Sequence, residues 1–371
     1  MSAWLARQMP SIKDVGYLFH DGRIVYSSLF DNPWYYIQLT FGPNNYFPEP
    51  EHLCKYIDAM GLWYDYTGYT LVRINAIFML FSFGHFYVQS MLFGIMSFVG
   101  LYYLYRFFSA LIPINEYSII AILFCIPSIL FWTTSIGKEA TVVFALGLLL
   151  YFVYSLSLAF SIKSLLAFIF FFLLLLNVRV YMILVLLPAL VAYYWNLKCS
   201  KIKAFVPYLI CNLTVLGLAI IYDSVVPNQY RMMYMVTDIQ SSFINNTGNT
   251  SFPIYPIENS WVNLFLQLPK YLLNGFIYPT YNLCSATWCR LASIESMLIS
   301  GFLLLCLLKV KYRYFLDNSI ALFCLSIGLT LMLFIDVVVN NAGALVRYRT
   351  IALIFIFIGI LASFKEIRKT R

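Results

Sequence analysis

Apolar runs long enough to cross a bilayer recur along this chain, and they limit the fold more than any motif does. The first is "FYVQSMLFGIMSFVGLYYLYR" (86–106), followed by runs at 117–135, 140–160, 164–177, 180–195, 204–224, 291–308, 318–336 and 350–364. A helix needs ~20 mostly apolar residues to span the hydrocarbon core. With 62% hydrophobic residues and a mean hydropathy of +0.80, a soluble domain of this size would have to leave much of that apolar surface in water. The pattern therefore predicts an all-α fold, a polytopic transmembrane bundle of nine to ten spans. The tenth candidate, "LVRINAIFMLFSFG" (71–84), is short and carries Arg73 and Asn75, so it reads as a helix lying in the interface.

Lys and Arg orient the spans. "KCSKIK" (198–203), "KVKYR" (309–313) and "KEIRKTR" (365–371) fall on one side by parity. An excess of cations marks the cytoplasmic side, which puts the C-terminus in the cytosol. The expected division is an outer N-terminal segment with an interfacial helix (1–85) and a bundle (86–371) that includes an outer loop at 225–290. "WVNLFLQLPKYLLNGF" (261–276) reads as a second interfacial helix, with Lys270 able to reach the headgroups. Outer placement of residues 1–70 needs translocation by the first span or a start further upstream. A crossing by 71–85 would instead leave them in the cytosol.

The net charge of +8 collects in short loops and the tail. That distribution is an orientation signal and excludes a nucleic-acid-binding stripe. Cys284 and Cys289 in "CSATWC" fall in the outer loop, where a disulfide can form. Three scattered histidines make no zinc site by spacing. No cofactor is required by any motif, and a divalent cation held by carboxylates stays open.

Under this orientation Lys138, Arg179, Arg347 and Arg349 lie at the outer ends of spans, where cations are normally sparse. The nearby carboxylates are Glu139 and Asp336, so four cations face two acids. A lipid-linked phosphate or pyrophosphate would balance them, because Arg offers a planar fork and Lys a point charge. Snorkelling to membrane lipid headgroups is the alternative for each residue alone; for all four, a shared phosphate-binding site is the expectation.

"IPSILFWTTSIGKEATVVF" (126–144), "NVRVYM" (177–182), "LPKYLLNGFIYPTYN" (268–282) with "SIESMLI" (293–299), and "NAGALVRYRTIALIF" (341–355) follow one another in order. Together they resemble the motifs of bacterial polytopic GT-C-type glycosyltransferases and related O-antigen polymerase-like membrane proteins. "RYRTIAL" lacks the proline usual after the family's second arginine, and the span that commonly precedes the outer loop is missing.

The resemblance implies glycosyl transfer from a polyprenyl-phosphate or polyprenyl-diphosphate donor to a glycan acceptor at the outer face of the bacterial cytoplasmic (inner) membrane, in surface polysaccharide synthesis. One version of this activity is the O-antigen polymerase. A lipid-linked oligosaccharide flippase is the alternative from another class, but it would call for internal repeats, and none is visible. Transfer needs a carboxylate base and positive charge on the departing phosphate. Asp21, in "HDG…Y", looks like the family's outer-loop acid, and Glu139 is the rival; each also has a structural reading, as a turn residue or a helix-start ion pair. Asp31 reads as a turn or cap, and Asp336 as an ion-pair partner near Arg347. Arg73 and Arg290 are headgroup contacts or lipid-phosphate ligands. Trp34, Tyr35, Trp63, Tyr255, Tyr278 and Trp288 are belt residues that could also stack on sugars.

Overall fold

A computed structural model describes residues 13–44, 49–112, 115–199, 202–245, 248, 250–309 and 316–364. The cation-rich segments at 310–313 and 365–371, which carry most of the orientation signal, lie outside them. Among the described residues the chain is helical throughout, and seven helices are long and apolar enough to cross a membrane. The protein is a multi-pass helical membrane bundle. It divides into two compact units, Met1–Ala110 with Ile129–Ile183, and Leu111–Ser128 with Leu184–Arg371.

The first unit opens with four helices: α1 (Lys13–Asp31), α2 (Pro33–Phe41), α3 (Glu51–Ile57) and α4 (Tyr66–Ser82). Each start has a local reason. Asn32 accepts a hydrogen bond from the Trp34 N–H at 2.9 Å with Pro33 at the first helical position, and Asp65 caps α4 through the Thr67 N–H at 3.0 Å. A turn with Phe83 and Gly84 at positive φ (51° and 71°) leads into α5 (Phe86–Leu111). Val25, Leu39, Trp63, Tyr69 and Val72 share one buried core with Phe93 of α5 and with Ile136 and Ala140. This common core is why the expected boundary after residue 85 does not separate the units.

Two further helices complete the unit, α8 (Lys138–Leu158) and α9 (Ile162–Val178). A Cβ on Gly100 of α5 would strike the backbone of Val143 and Phe144, and one on Gly147 would strike the Gly100 carbonyl. The two backbones thus touch through glycines, as helices packing in lipid often do. Gly94 lies beside Thr134, below that contact, so α5 and α8 run parallel. α9 returns antiparallel, with Glu139 against Arg179 at one end and Ser155 against Ser164 at the other. Thr67 of α4 reaches Lys138, and Ser82 of α4 reaches Gln89. Both ends of α4 therefore meet the starting turns of α8 and α5, and α4 lies along that end of the unit instead of crossing it. Gln89 also donates to the Asn75 carbonyl and side chain, each at 2.9 Å, so the buried amides are paired, as burial requires.

The second unit holds α6 (Glu116–Phe124), most of α10 (Val180–Lys198), α11 (Phe205–Val225), α12 (Met232–Asn245), α13 (Trp261–Ile277), α14 (Thr287–Lys309), α15 (Ser319–Val338) and α16 (Ala342–Ser363). Its centre is the antiparallel α15–α16 pair, in close approach at Gly328 beside Ala352 and Ile356 and at Gly359 beside Ala321. Asn318 caps α15 and donates to the Ala362 carbonyl at 2.8 Å, joining the start of one helix to the end of the other. Apolar side chains on α11 and α14, such as Leu213, Leu218, Leu304 and Leu308, stay exposed, as lipid-facing residues do. Asp223 joins α11 to the starts of α12 and α13 by accepting from the N–H groups of Met232 (2.7 Å) and Met233 (3.0 Å) and from the Trp261 indole (3.2 Å). Cys284 and Cys289 form a disulfide.

Three expected spans change shape. The run at 117–135 is two helices, α6 and α7 (Pro127–Thr133), bent by 57°; Pro127 supplies no N–H and disfavours helix at Ile126. The run at 164–177 is α9, a helix of 17 residues. The last span starts at Ala342, because Asn341 accepts from the Gly343 and Ala344 N–H groups. Arg347 and Arg349 therefore sit inside a helix and not ahead of it.

If Gly100 and Gly147 set the α5–α8 contact, Gly100→Val and Gly147→Val each cost about 1–3 kcal/mol by overpacking. Gly217→Val, with open space around it, costs little. Thermal unfolding of the full chain in detergent measures the difference.

Candidate functional site

Four of the six expected site residues lie in the first unit. Lys138 opens α8, and its Nζ donates to the Thr67 hydroxyl at 2.8 Å. The same hydroxyl donates to Asp65 Oδ1 at 3.0 Å, and that oxygen also takes the Thr67 N–H. A single hydroxyl thus links a cation and a carboxylate. Asp65 is exposed. Partial burial pushes its carboxyl up, but the Gly68 N–H, the Lys138 charge and the Thr67 groups outweigh that and hold it below the usual carboxylate range. Beside it, the Tyr66 hydroxyl donates to Asn177 at 2.6 Å, two residues before Arg179.

Glu139 and Arg179 are both buried and form an ion pair, with Arg179 also donating to the Tyr181 hydroxyl. Arg179 follows the last residue of α9 and precedes α10, so this pair ties the start of α8 to the α9–α10 break. Its geometry is that of a structural clamp: the Glu139 carboxylate is spent on the guanidinium and does not face solvent.

Asp21 is also buried. Its Oδ2 accepts from the Leu62 N–H at 2.8 Å and its Oδ1 meets His20 at 3.2 Å. It anchors the turn ahead of α4 to α1, so the outer-loop likeness of "HDG" placed a side chain that serves the core. Asp31 takes Lys55 at 3.1 Å and the Tyr56 hydroxyl. Hydrogen bonds from Tyr56 and Lys55 hold the Asp31 carboxyl low, while burial and that carboxylate push the Tyr56 hydroxyl up to about 12.

The other two expected residues belong to the second unit. Arg349 is 1% exposed. Its Nη1 donates to the Gly275 and Tyr278 carbonyls, both at 2.8 Å, and its Nη2 to Ser296 at 2.5 Å. The need for such a donor is local: the N–H that would serve the Gly275 carbonyl in a continuing helix belongs to residue 279, a proline with none. Asp336 is 0% exposed, lies against Gly275 where a Cβ would collide with it, and has no hydrogen-bond partner on either oxygen. The expected Asp336–Arg347 pair does not form; the guanidinium that Asp336 feels is that of Arg349, as does Glu295. Glu295 itself accepts from the Ser128 N–H at 2.9 Å. Arg347 is partly exposed and lies over the Tyr348 ring, 5.7 Å from its centre.

The weaker candidates are largely structural. Arg73 donates to the Gly42 carbonyl and Asn44, and Arg290 to the Cys284 carbonyl. Trp63 is buried edge-on against Tyr69, and Tyr278 stacks on Phe252. Trp34, Tyr255 and Trp288 remain exposed. Among the described residues no group of three His, Cys, Asp or Glu side chains is placed to hold a metal ion.

The sequence reading missed Asp65. Its signal was an Asp-x-Thr at a helix start, which reads equally as a cap. It also missed Ser296 and Gly275, whose roles depend on Arg349 arriving from a distant helix. Compared with protein-family models, with curated protein sequences and with solved structures, the chain matches none of them.

Removing one partner of a buried ion pair costs about 3–5 kcal/mol, whereas replacing both with apolar groups is often neutral. Arg179→Met should therefore lower the detergent melting temperature sharply, and the double variant Glu139→Leu/Arg179→Met should recover most of it. Equal losses in both would contradict the clamp.

Proposed function

We infer that this protein is an integral membrane glycosyltransferase. In this reading it moves a sugar or oligosaccharide from a polyprenyl-phosphate or polyprenyl-diphosphate carrier to a glycan acceptor at the outer face of a bacterial cytoplasmic membrane. One observation carries the reading: Lys138, at the first position of a bundle helix, shares a hydroxyl with an exposed carboxylate at the end of the unit where α4 lies across the spans. A cation held there is available to an anionic headgroup, and α4 brings acidic and hydroxyl groups to meet the rest of the ligand.

The sequence motif "PSILFWTTSIGKE" supports this through its shape. It forms the short helix α7, a break, and the α8 start at Lys138. Gly137 gives α8 no side-chain cap, and an ammonium at the positive end of a helix favours a phosphate. Charge leaving with the carrier phosphate is stabilised by such a preorganised cation, an effect worth about 10²–10³-fold in rate for a single lost donor in other enzymes. Arg347, in the second unit, is the remaining expected cation with partial exposure. Arg349 gives the reading no support, since it is buried and its guanidinium serves the α13 end. Transfer of a single sugar and polymerisation of a repeat unit are the two versions of this reading, with a surface polysaccharide as product and the C-terminus in the cytosol.

Lys138→Ala in the native host, at matched expression, should reduce the surface glycan ladder by about 100-fold or more and leave carrier-linked units accumulating. Single-repeat glycan without a ladder identifies a polymerase, and a shortened unit identifies a monosaccharide transferase. A normal glycan from Lys138→Ala would remove the support that this cation gives.

A further inference from the structure

We propose that Asp65 is the carboxylate that accepts the proton of the acceptor hydroxyl, an assignment that rests on the transferase reading above. Three requirements select it. The base must be reachable from water, ionised, and close to the cation that meets the phosphate. Asp21 is buried beneath the Leu62 N–H, and Glu139 is buried on Arg179. Asp31 is committed to Lys55 and Tyr56, and Glu49 to Tyr64. Asp65 is exposed, and the Thr67 hydroxyl that it binds is the one that Lys138 binds.

Thr67 occupies Asp65 Oδ1 with both its N–H and its hydroxyl, and the other oxygen lies over Gly68, where any Cβ would collide with it. The glycine therefore makes room for the carboxylate. In the step, the acceptor O–H bond breaks and its proton goes to Asp65. The acceptor oxygen forms a bond to the anomeric carbon as the bond from that carbon to the carrier phosphate oxygen breaks. The electron pair leaves on the phosphate, where the Lys138 ammonium meets the charge. Asp65 then returns its proton to water, which its exposure permits. Tyr66, bonded to Asn177, borders the site and offers a ring face and a hydroxyl to a sugar.

The competing account is that Asp65 is only the α4 N-cap. Asn and Ser cap helices about as well as Asp, so Asp65→Asn and Asp65→Ser keep the cap and remove the charge. The test uses the full chain, expressed in the native host for glycan analysis and purified in lipid nanodiscs for binding of undecaprenyl phosphate by native mass spectrometry. The expected result is that both variants keep the melting temperature and undecaprenyl phosphate binding but lose glycan transfer by about 100-fold or more, while Asp65→Glu recovers part of it. Lys138→Ala should instead weaken undecaprenyl phosphate binding.

Transfer within threefold of wild type in Asp65→Asn overturns the assignment and leaves the transferase reading standing if Lys138→Ala still loses transfer. Loss of transfer matched by loss of melting temperature in both capping variants makes Asp65 a cap alone, which also overturns it. An unaltered surface glycan on deletion of the whole chain, with no undecaprenyl phosphate bound by wild type, would defeat the transferase reading itself.

Discussion

In a medium without water, a polar group that a helix cannot satisfy must find its partner within the protein, and the Glu139–Arg179 pair is where the first unit meets that demand. Arg179 stands between two helices, at the one-residue break where α9 ends and α10 begins. Its charge is affordable there only because Glu139, in the first turn of α8, lies against it. The same contact sets the relative height of α8 and α9, and so determines where Lys138 and Asn177 emerge. The exposed Asp65–Thr67–Lys138 chain is built on that alignment. The placement of these three polar groups thus depends on a buried ion pair.

The second unit meets the demand differently. Pro279 leaves the Gly275 carbonyl without its helical donor, and Arg349 fills the vacancy from α16 while reaching Ser296 of α14. One guanidinium therefore joins three helices. Gly275 has a double duty, since its carbonyl faces Arg349 while its Cα makes room for Asp336. Asp336 is left beside a positive charge but without a hydrogen-bond donor. Burial of such a group costs stability, and the nearby Arg349 charge offsets part of that cost.

Much of this was legible in the sequence and some of it was not. The apolar runs located the seven long helices, because length and hydropathy report directly on the solvent, but they missed the bend after Phe124 and the early start of the last helix at Ala342. The Lys138, Glu139 and Arg179 cluster was legible as charge at span ends, since charge there is scarce enough to stand out. Asp21 misled because a motif-like string carries no information on burial. Asp65 escaped notice because its link to Lys138 runs through Thr67, which lies 71 residues from that lysine. The bend at Pro127 was present in the sequence as a proline, but a long apolar run outweighed it.

The sequence alone determined that this chain lives in a membrane, crosses it many times, and places a few cations where lipid chemistry makes them expensive. These follow from composition and spacing, which act locally and need no knowledge of packing. Only the tertiary structure decided which of those charges are consumed and which are presented. Glu139, Asp21 and Arg349 turn inward to satisfy backbone and partner groups, and the exposed Asp65 and half-buried Lys138 meet at the Thr67 hydroxyl. The physical reason is that a side chain's availability depends on which distant donors and acceptors the packed helices bring to it, and that information is absent from any short stretch of sequence.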